Sequence, residues 1–129
     1  MPTVQNPLGA VMSEARRRKA LEVAERRGLV VMEDAAYACL EENAPPPLAR
    51  LAPARVVHID TFAKVAAPGL RAGYVVAADP SVAAALARGV RATTWSASPS
   101  AEHRAVLYSA LERIRARLGD AFSPSPAGA

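Results

Sequence analysis

Three short, nearly unbroken apolar runs mark the chain: "LVVM" at 29–32, "VVHI" at 56–59 and "GYVVA" at 73–77. Runs of this length, bounded by polar or turn-forming residues, predict strands covered on both faces. Between them the period changes. Ser13 is placed to cap a helix running to about Arg27, with Ala20, Leu21 and Ala24 on its core face and Gly28 as its stop. Asp79 followed by Pro80 starts a second helix, through about Ala92, because proline suits the first helical position. A last helical pattern covers about Ala101 to Leu118. After Glu33-Asp34 a loop or short helical turn is expected, and "NAPPP" (43–47) excludes regular structure. At the start, Thr3-Val4 reads as a strand stub, broken at Asn6-Pro7 and Gly9.

Strands alternating with helices predict an α/β domain with a mostly parallel sheet flanked by helices. Three strands and a stub leave apolar sheet edges that nothing in this sequence covers. The chain therefore reads as a piece of a larger domain, with residues 1–118 as the partial domain and 119–129 as a disordered tail.

Composition narrows the picture. A chain of 129 residues suits one domain, and 51% hydrophobic content argues against disorder. With 5% aromatic residues, the core must be built from Ala, Val and Leu. No apolar run reaches membrane-spanning length, and "MPTVQNPLG" has no secretory pattern, so no membrane partner is expected. The single Cys39 allows no internal disulfide and fits a reducing, cytoplasmic setting; without a His partner it reads as a small core residue. A net charge of +4 invites a nucleic-acid reading, but Glu14, Arg18, Glu22 and Arg26 alternate in sign at four-residue steps. That is a solvated, self-paired helix face. The basic stretch "ALERIRARLGD" lacks interleaved aromatics for stacking on bases.

Candidate chemistry gathers where α/β sheets bind ligands, outside the carboxyl ends of strands. Asn6 follows the stub, Asp34 follows "LVVM", and Asp60, Thr61 and Lys64 follow "VVHI". Singly, each has an ordinary reading: a turn former, a cap, a surface lysine. Sixteen residues are Lys or Arg, and only Lys19 and Lys64 are lysines. Arginine stays protonated, whereas a lysine amine can lose its proton and condense with an aldehyde. A lysine kept at a strand end among apolar residues is consistent with covalent amine chemistry. Pyridoxal phosphate is the commonest cofactor held in this way, and it needs an acidic partner for its ring nitrogen. Asp34 is available for that role. His58 lies inside a strand run and reads as a packed or edge residue, His103 as exposed, and Trp95 as an anchor for the following helix.

The ordered set "NPLG", "MEDAAY", "DTFAK" and "PGLRAGY" resembles the pyridoxal-phosphate-dependent aminotransferases of class I/II, the fold-type-I group. It is similar above all to the aminotransferase-like half of GntR/MocR-type regulators, and the resemblance spans roughly residues 2 to 100. It implies a fragment of the large domain of that fold. Lys64 would carry the cofactor and shuttle the proton at the substrate carbon, while Asp34 would pair with the ring nitrogen. Asn6 and Tyr37 would bond the 3′-oxygen, and Thr61 and Arg71 would hold the phosphate. Ala63 stands where many members have serine. The implied substrates are an amino acid and a 2-oxo acid, and the intact parent would be a homodimer. The resemblance also implies an upstream glycine-rich phosphate loop and a downstream small domain with a carboxylate-binding arginine, neither identifiable here. The alternative is an effector-sensing domain of a GntR/MocR regulator, touching DNA only through a fused module outside this sequence.

Overall fold

The computed structural model describes residues 1–64, 73–93 and 116–119. Helix α1 spans Glu14–Arg26, and the Ser13 side chain accepts a hydrogen bond from Arg16 N–H. Its end is a Schellman motif: Leu29 N–H reaches Ala24 O (2.8 Å) and Gly28 N–H reaches Glu25 O (3.0 Å). The motif needs a left-handed residue, and Gly28 sits at φ +64°. The buried face of α1 carries Arg17, Leu21 and Ala24. Ala20, expected on that face, is exposed, because the helical period runs through Arg17. The outer face carries the predicted ion pairs, Arg18–Glu14 at 2.6 Å and Arg26–Glu22 at 4.0 Å.

Strands β1 (Val31–Asp34), β2 (Val56–Thr61) and β3 (Gly73–Ala77) form one sheet in the order β1-β2-β3. β1 and β2 are parallel, with Val31 opposite Val56 and Asp34 opposite Ile59. β2 and β3 are antiparallel, with Thr61 opposite Gly73 and Asp60 opposite Tyr74. The three-stranded sheet is thus mixed. The chain turns back on itself after Thr61, whereas a parallel return needs a crossover, usually a helix. The expected Thr3-Val4 strand is instead the lead into an isolated antiparallel bridge between Gln5 and Ala10.

A one-turn helix, α2 (Leu48–Leu51), follows the proline run with Pro47 as its cap. The core joins Leu21, Leu48, Ala49, Val56 and Leu118, with Val31, Leu51, Val76 and Ala78 packed against it. Leu118 belongs to residues 116–118, which are helical. The rest of the expected last helix, Trp95, His103 and the expected tail lie outside the described residues. Helix α3 (Pro80–Thr93) starts as predicted: Asp79 Oδ1 accepts from Ser81 N–H (2.8 Å), Ser81 Oγ (2.7 Å) and Val82 N–H (3.3 Å). These donors, Ser81 first, hold the Asp79 carboxyl below its ordinary pKa. β1 is not covered on both faces by described residues: Met32 is 67% exposed. No described helix is long and apolar enough to cross a membrane.

Candidate functional site

Parallel pairing of β1 and β2 brings their carboxyl ends to one edge of the sheet, and the antiparallel β3 begins at that same edge. Asp34 ends β1 with an exposed side chain whose Oδ1 accepts from Ala36 N–H at 3.0 Å. Tyr37 caps the 3₁₀ turn Ala38–Leu40 and is half-buried. Cys39, on that turn, is exposed rather than in the core, because the turn rides the sheet edge and buries only Ala38. Thr61 ends β2, and its Oγ1 accepts from Ala63 N–H at 3.2 Å. The strand passes directly into the 3₁₀ turn Phe62–Lys64, which buries Phe62 and leaves Lys64 exposed. Asp34, Tyr37, Thr61 and Lys64 therefore share one edge. Arg71 lies outside the described residues.

Asn6 is exposed on the turn between Gln5 and Ala10. That turn is tied to α1 through Arg17, which is fully buried. The Arg17 guanidinium donates to Thr3 Oγ1 (2.7 Å), Met12 O (2.9 Å), Pro2 O (3.2 Å) and Pro46 O (3.2 Å). Burial pulls its pKa below the ordinary arginine value, and the charge of Glu33 works against that pull.

Behind the edge lies a buried polar hub that the sequence reading did not single out. Glu33 Oε1 accepts from Leu48 N–H (2.8 Å), and Oε2 accepts from Ala49 N–H (3.0 Å) and faces His58 Nδ1 (3.0 Å). Glu33 is 2% exposed and His58 6%, so His58 is the packed residue its strand position suggested. Burial by itself would raise the Glu33 carboxyl. The His58 bond and the two backbone donors outweigh it, and the pKa lies below the ordinary value. The second unforeseen pair is Asp60–Tyr74: the Tyr74 hydroxyl donates to Asp60 Oδ2 at 2.7 Å, and Asp60 Oδ1 accepts from Thr61 N–H at 2.6 Å. Burial, and then the Asp60 bond, push the Tyr74 phenol well above its ordinary pKa.

An exposed primary amine, an exposed carboxylate and a hydroxyl thus stand at the carboxyl end of the parallel pair, where α/β sheets bind ligands. The family profile of the aminotransferases of class I and II matches residues 1–118, and the chain belongs to that family. It is 41% identical over 80 residues to an aminotransferase of Saccharolobus solfataricus, a match covering 60% of this chain and 20% of that protein. It is also 41% identical over 75 residues to the HTH-type transcriptional regulator YdeF of Bacillus subtilis, covering 58% of this chain and 16% of the regulator. Among solved structures it resembles LysN, the alpha-aminoadipate aminotransferase of Thermus thermophilus, in complex with N-(5'-phosphopyridoxyl)-L-leucine. That likeness has a TM-score of 0.75 and 31% identity, over 92% of this chain and 31% of that one. The chain spans about a fifth of the length of the curated relatives it matches. The α/β architecture is accordingly that of a fragment of a fold-type-I aminotransferase.

Proposed function

We propose that this chain is the lysine-bearing part of a pyridoxal-phosphate-dependent transaminase, moving amino groups between an amino acid and a 2-oxo acid when assembled with the rest of its domain. One observation supports this above the others: the parallel β1–β2 pair brings Asp34 and the Lys64 turn to a single edge. The donor set there fits the cofactor, which presents an aldehyde, a basic ring nitrogen and a phosphate. Pyridoxal phosphate, when bound, supplies the aldehyde and a ring that takes up electron density from the reacting carbon.

The chain's own residues take the remaining roles. Lys64 Nζ is the nucleophilic amine and afterwards the base that accepts and returns the proton at the substrate carbon. The Asp34 carboxylate, anchored through Oδ1 to Ala36 N–H, keeps the proton on the ring nitrogen. The Tyr37 phenol and the Asn6 amide serve the 3′-oxygen. Thr61 and Arg71 are assigned the phosphate, Arg71 on its sequence position and on the two-pronged bond that guanidinium makes to phosphate. Substrates, and the partner subunit of the intact parent, follow from family membership and belong to this reading.

The test is reductive trapping. The full chain incubated with pyridoxal phosphate and then borohydride should acquire one pyridoxyl group on Lys64, located by peptide mass mapping. Attachment at Lys19 instead, or no attachment, overturns the assignment. A second reading, an effector-sensing domain of a transcription regulator, is favoured by the likeness to YdeF. It predicts a basic winged-helix segment encoded in the same reading frame upstream.

A further inference from the structure

The Asp60–Tyr74 pair has no part in the roles assigned above, yet it sits at the root of the Lys64 turn. Asp60 and Tyr74 are directly opposed across the β2–β3 pair, one position inside the Thr61–Gly73 pair that closes the edge. Both oxygens of the Asp60 carboxylate are engaged. Oδ1 accepts from Thr61 N–H at 2.6 Å and Oδ2 from the Tyr74 hydroxyl at 2.7 Å. The Tyr74 ring also packs on Phe62, with centroids 5.6 Å apart and planes tilted by 42°. Phe62 is buried and opens the three-residue turn that ends in Lys64. Thr61 Oγ1 then accepts from Ala63 N–H at 3.2 Å. Each residue from Asp60 to Ala63 is thus held by a bond or a buried ring. Gly73 tightens the same corner, since a Cβ there would meet Asp60 O at 2.7 Å.

We propose that Asp60, clamped by Tyr74, is a positioning residue that fixes the backbone turn presenting Lys64. The proposal rests on Lys64 being the cofactor-bearing amine. A cross-strand bond that only stabilised the hairpin would sit equally well anywhere along it. This one joins the strand opposite to the residue that starts the lysine turn, and it shares an aromatic contact with that turn. Lysine side chains are long and rotatable, so the precision of the amine depends on the backbone that carries it. The phenol is also a durable donor, because burial and the carboxylate together keep it protonated.

The experiment compares the full wild-type chain with Asp60→Ala, Tyr74→Phe and the double variant, using pyridoxal phosphate followed by borohydride. The readout is the rate of labelling at Lys64 relative to Lys19, with circular dichroism confirming the fold of each protein. Each single variant should lower the Lys64-to-Lys19 ratio by about tenfold to a hundredfold, since a misplacement of about 1 Å can cost a reacting group about a hundredfold in rate. The double variant should lose no more than Asp60→Ala alone, because the Tyr74 hydroxyl has no carboxylate to hold once Asp60 is gone. Unchanged ratios in folded variants, or losses that multiply in the double variant, overturn the clamp while leaving the cofactor reading intact. Failure of the wild-type chain to label at Lys64 overturns both. A measurement without variants guards against misfolding: in an alkaline absorbance titration of the folded wild-type chain, the Tyr74 phenol should ionise well above the ordinary tyrosine range. Complete phenol ionisation within that ordinary range would overturn the clamp.

Discussion

At the scale of single residues the proposed chemistry falls to Lys64 and Asp34, and both stand exposed at the carboxyl end of the sheet. Replacing Lys64 with alanine should abolish the borohydride-stable adduct, whereas Lys19→Ala should leave it unchanged; mass mapping of the labelled peptides decides this. Replacing Asp34 with alanine should weaken pyridoxal phosphate binding by roughly tenfold to a hundredfold, the range of a lost bond to a charged group. A spectrophotometric titration of the cofactor measures it. Unaltered affinity would remove Asp34 from its assigned role. These two candidates stand out in the sequence because their types are informative: a lysine in an arginine-rich chain, and an acid at the end of an apolar run. Arg17 was not legible. It lies in "RRRK", which reads as a solvated cluster, and only helical phase separates it from its exposed neighbours Arg16 and Arg18.

The elements around the site are joined through buried polar contacts rather than through a large apolar core. Glu33 links β1 to α2 and to β2 with three bonds. Glu33→Ala would leave two backbone N–H groups and an imidazole buried without their acceptor. The expected loss is about 3 kcal/mol of unfolding free energy, measured by urea denaturation; a loss within experimental error would contradict the hub. Gly73 makes a separate claim about the β2–β3 corner. Its Cβ position lies 2.7 Å from Asp60 O, a backbone atom that a rotamer change cannot move aside. Gly73→Ala should therefore cost about 1–3 kcal/mol by overpacking and disturb Tyr74, visible in its near-ultraviolet circular dichroism. The strands and the Asp79-capped helix could be read from period and cap. The one-turn helix α2 could not, since four residues after a proline run carry no periodic signal. What holds α2 in place is a carboxylate fifteen positions earlier in the chain.

Across the whole molecule, the Glu33 hub ties stability to pH. The folded carboxyl titrates below its ordinary value, so the unfolded chain binds the proton more tightly. The stability it contributes is fully present above the unfolded carboxylate pKa of about 4.3 and is lost as pH falls through the lower folded value. The urea midpoint of the wild-type chain should drop as the solution is acidified below about pH 4. In Glu33→Gln that decline should be shallower, and equal slopes in the two proteins would refute the linkage. By itself the sequence determined the α/β class, the family and the order of the candidate site residues, because element periods, caps and motif spacing are local properties. Only the tertiary structure decided that β3 runs antiparallel, that Glu33 and Arg17 are buried, and that Asp60 meets Tyr74. Each of these depends on which distant residues share a layer or a register, and a one-residue slip of register would separate Asp60 from Tyr74.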